Sequence, residues 1–92
     1  MTIKVRFFAR FRELFGTDII TDAAPGTSFI DLIKKIAEKN REGYDAIFDT
    51  NGAFREFVIL MKNGRRIECA DAGKTMISDG DEIAVFPPVA GG

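Results

Sequence analysis

Asp79-Gly80-Asp81-Glu82-Ile83-Ala84-Val85-Phe86-Pro87-Pro88-Val89-Ala90-Gly91-Gly92 closes the chain, and its parts dictate what the preceding residues must do. Asp79-Gly80-Asp81 is a turn signal in which Gly80 supplies the backbone freedom of a tight reversal. Ile83 to Phe86 has the length and β-branched content of a strand. Pro87 and Pro88 then stop that strand, because neither can donate to a ladder. Their fixed φ favours an extended, polyproline-like exit. Past Phe86 six residues remain, a reach of roughly 20 Å at about 3.3 Å per residue.

Gly91 and Gly92 carry no Cβ, so a partner can enclose them in a narrow channel. The α-carboxylate of Gly92 is the group on this tail with useful acyl chemistry. It is a poor acyl donor until activated, for instance as a mixed anhydride with a nucleotide phosphate. A merely frayed end is the plain alternative. A strand, then Pro-Pro, then a short tail ending on Gly-Gly favours the functional reading.

Composition narrows the classes that remain. Ninety-two residues fit one small domain, and a hydrophobic fraction of 46% with nine Phe argues against disorder. A net charge of −1 gives no global drive toward nucleic acid or anionic membrane. No run of eighteen apolar residues occurs, and Met1 to Arg6 alternates like a strand rather than a signal peptide. A cytoplasmic location is expected. The single cysteine, Cys69, excludes an internal disulfide, and the absence of His removes His-based nucleophile systems and metal sites. No phosphate-binding glycine loop appears. The chain is not expected to be an enzyme on its own, nor to bind a metal.

Along the chain, Ile3, Val5 and Phe7 alternate with Lys4, Arg6 and Phe8, the pattern of a half-buried strand. Ala9 to Phe15 reads as a short helical turn closed by Gly16, and Thr17 to Thr21 as a second, antiparallel strand. After Pro25-Gly26, Thr27 or Ser28 can cap a helix. Phe29, Leu32, Ile33, Ile36 and Ala37 form its buried stripe. Asp31–Lys35 and Lys34–Glu38 are helix-spaced charge pairs on the solvated face, and Asn40 to Gly43 ends the helix. Tyr44 to Arg55 reads as a surface excursion, in which Tyr44, Ile47 and Phe48 can make one apolar turn packed at the edge of the core and Asp49-Thr50-Asn51-Gly52 is a turn cluster. Phe57 to Met61 is expected to be a central strand, with Asn63-Gly64 as a type I′ turn into a partner strand from Arg65 to Glu68. Cys69 reads as a small packed hydrophobe rather than a reactive thiol, and Arg10, Arg12, Arg65 and Arg66 as ordinary surface charge. One amphipathic helix covers one sheet face, so the fold class is two-layer α+β.

Two stretches carry a resemblance: Val5 to Asp18, and the ending Asp79 to Gly92 with its Phe-Pro-Pro approach to Gly-Gly. The chain resembles the ubiquitin-like β-grasp sulfur carriers, specifically the MoaD group, the small subunit of molybdopterin synthase. The related thiamine-pathway carrier ThiS shares the Gly-Gly end. The resemblance implies a β-grasp domain over residues 1–86, a mixed sheet of four to five strands on one main helix, and an extended tail over residues 87–92. It implies that the Gly92 carboxylate is adenylated by an E1-like enzyme of the MoeB/ThiF type using Mg-ATP, then becomes a thiocarboxylate. Pro87, Pro88, Val89, Ala90, Gly91 and Gly92 would enter the channel of a large MoaE-type subunit, where sulfur passes to a pterin precursor. ATP then belongs to the partner, and this chain binds no cofactor itself.

The implied partner surface is a hydrophobic patch on the sheet face away from the helix, where pleat alternation also places Phe8 and Phe86. Arg66 completes that interface. Where the family often has an apolar residue after the Asn-Gly turn, this chain has Arg65 and Arg66. The Tyr44–Phe54 excursion resembles archaeal relatives that act as protein modifiers. A modifier joined through Gly92 to target lysines, a carrier for tRNA thiolation, and a plain interaction module are therefore the alternatives.

Overall fold

The computed structural model describes residues 1–87. Its elements are β1 (Thr2–Phe7), α1 (Ala9–Phe15), β2 (Asp18–Asp22), α2 (Phe29–Ala37), α3 (Arg41–Ile47), β3 (Ile59–Lys62), β4 (Arg65–Ile67) and β5 (Glu82–Phe86), with a 3₁₀ turn at Cys69–Asp71. The strands form one mixed sheet in the order β2-β1-β5-β3-β4. Only β1 and β5 run parallel, Val5 facing Ile83 and Phe7 facing Val85. β1 pairs antiparallel with β2, and β3 pairs antiparallel with both β4 and β5.

Alternation decides which face each strand buries. Ile3, Val5 and Phe7 of β1, Leu60 of β3, and Ile83 and Val85 of β5 are all buried on one side. Against them lies α2, capped by the Ser28 hydroxyl, which accepts from the Asp31 N–H at 3.3 Å. Its buried residues are Phe29, Leu32, Ile33, Ile36 and Ala37, the stripe that the sequence periodicity marks.

The segment after α2 corrects the sequence reading. Tyr44 to Phe54 is not a surface excursion: α3 occupies its first part, and Ile47, Phe48 and Phe54 are core residues. Asn40 begins this helix rather than ending the previous one. Its side-chain oxygen accepts from the Gly43 N–H at 3.1 Å, while its amide nitrogen donates to the Leu14 carbonyl at 2.9 Å. Gly43 is required because a Cβ there would overlap the Phe15 ring, so α3 lies closely on α1. Among the described residues core cover therefore comes from α2 and the short α1, both indicated by the sequence, with α3 added to them.

Two further expectations change. The Phe57–Met61 segment does supply an interior strand, β3 lying between β5 and β4, but the strand runs Ile59–Lys62, and the parallel β1–β5 pairing puts the last strand, β5, in the middle of the sheet. Phe57 lies outside β3 altogether, with φ +70° and 73% exposure. The pairs Asp31–Lys35 and Lys34–Glu38 are not the contacts made: Lys35 Nζ donates to the Asp22 carbonyl at 3.2 Å, and Lys34 Nζ sits 5.6 Å from the Phe48 ring centroid.

The hairpin turn is as the sequence indicates, with positive φ at both Asn63 and Gly64. Asn63 also fixes the start of β5. Its side chain accepts from the Glu82 N–H and donates to Asp81 Oδ1, both at 2.9 Å. Asp81 Oδ2 in turn accepts from the Ser78 N–H at 2.7 Å. Burial pushes the Asp81 carboxyl up, but the Asn63 and Ser78 hydrogen bonds and the Lys62 charge outweigh it and hold the group below its ordinary value.

Candidate functional site

The uncovered sheet face is built from the residues that alternate with the core. Register places Arg6 beside Ala84, Ala84 opposite Met61, Met61 opposite Arg66, and Ile59 opposite Phe86. At the end of β1, Phe8 lies flat on Phe86, with ring centroids 4.1 Å apart and planes 10° from parallel. The Phe8 N–H donates to the Val85 carbonyl at 3.3 Å, and positive φ at Ala9 turns the chain away into α1 at once. Two aromatic rings thus stand beside the point at which β5 ends and Pro87 begins. Both are half-buried.

Arg6 borders this patch on the β2 side. Its Nε donates to Asp18 at 3.0 Å and Nη1 to Glu82 at 3.4 Å, with its carbon 5.8 Å from the Phe8 ring centroid. The Asp18 hydrogen bond chiefly, with help from Glu82, raises its pKa, so the cation is locked and paired. On the opposite side Arg66 is exposed. The face therefore has an apolar middle of Phe8, Phe86, Ala84, Met61 and Ile59 between two arginines, an arrangement suited to docking against another protein.

Of the residues singled out from sequence, Phe8, Phe86 and Arg66 share this face, and Pro87 leads away from it, half-buried. Pro88, Val89, Ala90, Gly91 and Gly92 lie outside the described residues. Ile59, Met61 and Ala84 were missed, although the same alternation that selects Phe8 and Phe86 would have found them once the register was known. Arg6 was missed because its partners come from β2 and β5, which no local spacing reveals.

Cys69 is half-buried against the core, and its thiol donates to the Val58 carbonyl at 3.3 Å. Burial first, then Glu68, pushes its pKa up despite Arg66, which suits a packed thiol and opposes a thiolate nucleophile. Among the described residues no group of three His, Cys, Asp or Glu side chains gathers as a metal site, and no helix is long and apolar enough to cross a membrane.

Comparison with known proteins agrees with this construction. The sequence pattern of the ThiS family matches residues 5–92. The chain belongs to the ThiS family. It is 34% identical to small archaeal modifier protein 3 of Haloferax volcanii, over the full length of both chains. It is 32% identical to the molybdopterin synthase sulfur carrier subunit of Escherichia coli, covering 98% of this chain and 99% of that one. Among solved structures, small archaeal modifier protein 1 of Haloferax volcanii superposes with a TM-score of 0.84 at 21% identity, covering 96% of this chain and 98% of that one. The Helicobacter pylori complex of subunits 1 and 2 of the molybdopterin-converting factor contains a chain that matches with a TM-score of 0.61 at 26% identity, each chain covered completely. The ThiS-family member described here thus has the ubiquitin-like β-grasp fold, with β5 at the centre of its sheet.

Proposed function

We infer that this protein is a sulfur carrier, the small subunit of a molybdopterin synthase, and that the Gly92 carboxylate is the group it carries into reaction. The observation that carries this reading is the Phe8–Phe86 stack, an apolar docking face at the very end of the strand from which the tail leaves. A relative of nearly equal length is a sulfur carrier subunit of that synthase, and a structural neighbour is a complex of two subunits.

The chain supplies no catalytic side chain of its own in this scheme. An activating enzyme of the adenylating type uses Mg-ATP: a Gly92 carboxylate oxygen attacks the α-phosphorus, and pyrophosphate leaves. A sulfide-level sulfur donor then attacks the acyl carbon and displaces AMP, leaving a C-terminal thiocarboxylate. The large subunit takes residues 87–92 into its channel, where sulfur passes from the thiocarboxylate to a pterin precursor and water returns the acyl group to the Gly92 carboxylate. Absence of side chains on Gly91 and Gly92 lets that channel be narrow. Docking by the sheet face positions the acyl group without covalent help from the domain.

A second reading has its own support. The 34% identity to an archaeal modifier over the whole chain favours transfer of the same activated Gly92 to a lysine amine, giving an isopeptide bond. Both readings share the adenylation step. Incubation of the full chain with the activating enzyme of the same cells and Mg-ATP should release pyrophosphate from the ATP, and none should be released when Gly92 is deleted. Equal pyrophosphate release from the deletion variant would refute both.

A further inference from the structure

We propose that Phe57 is a second anchor of the docking face, one that seats in an apolar socket of the activating enzyme. The proposal rests on the reading that the tail is taken up by an activating enzyme. Phe57 is the most exposed of the large apolar side chains in the described residues, at 73%. Its φ of +70° is a conformation that bulky L-residues avoid and glycine adopts freely. A strained aromatic held out in water is the kind of backbone outlier that points to a use elsewhere.

Its place on the fold supplies that use. Phe57 lies two residues before Ile59, which faces Phe86, so it precedes β3 at the same end of the sheet at which β5 finishes. Five residues follow Pro87, and fully extended they reach no farther than roughly 17 Å at about 3.3 Å per residue. An enzyme that acts on Gly92 must bring its active site within that distance of the sheet's end. Its body then rests on Phe86, Ile59 and Phe57 together. Because charging precedes any transfer, the activating enzyme is the first protein to do so.

The hollow beside this ring is apolar at its floor. Phe57 lines it with Val58, Ile67 and Cys69 beside the edge strand β4, while Arg55 and Arg66 are balanced on its rim by Asp49, Glu56 and Glu68. The contact this end of the sheet offers a partner is therefore the apolar one.

The test measures affinity of the full-length protein for the activating enzyme with Mg-ATP, alongside its thermal midpoint. Phe57→Ser and Phe57→Gly should each weaken binding about tenfold or more, as loss of an aromatic anchor does. The thermal midpoint of Phe57→Gly should stay level or rise, because glycine relieves the positive φ. Wild-type affinity in both Phe57 variants would overturn the proposal. A Gly92-deleted chain run in parallel separates the failures. If it cannot be adenylated while the Phe57 variants bind normally, Phe57 alone is misassigned; if it is adenylated normally, the reading of the tail falls and this proposal with it.

Discussion

The two faces of one sheet are built from the same strands and differ in what covers them. On one face Ile3, Val5, Leu60, Ile83 and Val85 are 0% exposed and Phe7 is 1% exposed, all beneath the helices. On the other, Phe8, Phe86, Ile59 and Met61 are half-buried with only each other and flanking side chains for cover. Adjacent residues make the contrast sharpest, since Phe7 packs at 4.8 Å centroid distance on Phe15 while Phe8 stacks on Phe86. The lesson is that alternation assigns an aromatic to a face, but only the helices decide whether that face is core. A sheet with helices on one side leaves its other side available to a partner.

Substitution should split the two faces. Phe7→Ala opens a cavity in the core beside Phe15 and should cost about 3–5 kcal/mol of stability, read by thermal or denaturant unfolding. Phe86→Ala removes a half-buried stack and should cost the fold only about 1 kcal/mol. It should nevertheless weaken partner affinity by about 2 kcal/mol, roughly 30-fold, as an interface anchor does. Equal loss of stability in the two variants, with partner affinity intact in Phe86→Ala, would erase the distinction between the faces.

The covered face can be loosened without touching the uncovered one. In Gly43→Ala the new methyl overlaps the Phe15 ring, which rests on Phe7. The strain should cost about 1–3 kcal/mol in unfolding experiments, the usual penalty of an overfilled contact. Binding per folded molecule should hold, because Phe8 and Phe86 lie across the sheet. A fall in affinity comparable to that of Phe86→Ala would show that the helices govern the docking face directly.

These contrasts also show what could be read from the sequence. The stripe of α2, the Asn63-Gly64 turn and the alternation of β1 and β5 are local signals, and each matches the structure because one short segment settles it. The segment from Asn40 to Phe57 yielded its Asp49–Gly52 turn and the apolar contact of Tyr44, Ile47 and Phe48, but not the helix that carries them. A helix cap at Asn40 looks the same as a helix stop, and Gly43 looks like a breaker until the Phe15 ring is seen to fill the space of its Cβ. Phe57 resembles a strand residue by composition and is excluded from β3 by its backbone angle. At the site, Phe8, Phe86 and Arg66 were legible from pleat and motif. The sheet order that adds Met61 and Ile59 is a long-range property, set by the parallel pairing of the first and last strands.

The smallest expected effect concerns the turn that delivers β5. Because the folded Asp81 carboxyl lies below its ordinary value of 3.8, the unfolded chain takes up that proton more readily. The stabilisation is complete above pH 3.8 and is lost as pH falls through the lower, folded value. Urea unfolding across that acid range should show a loss of stability that Asp81→Asn reduces. An identical acid profile in both proteins would show that the Asn63–Asp81–Ser78 arrangement contributes nothing to holding β5.

The most direct measurement is the intact mass of the full chain recovered from its own cells. A fraction heavier than the encoded polypeptide by one oxygen-to-sulfur exchange, located at Gly92 by fragmentation, is the expected result. A carboxylate end throughout, in cells actively making the cofactor, would contradict sulfur carriage by this tail.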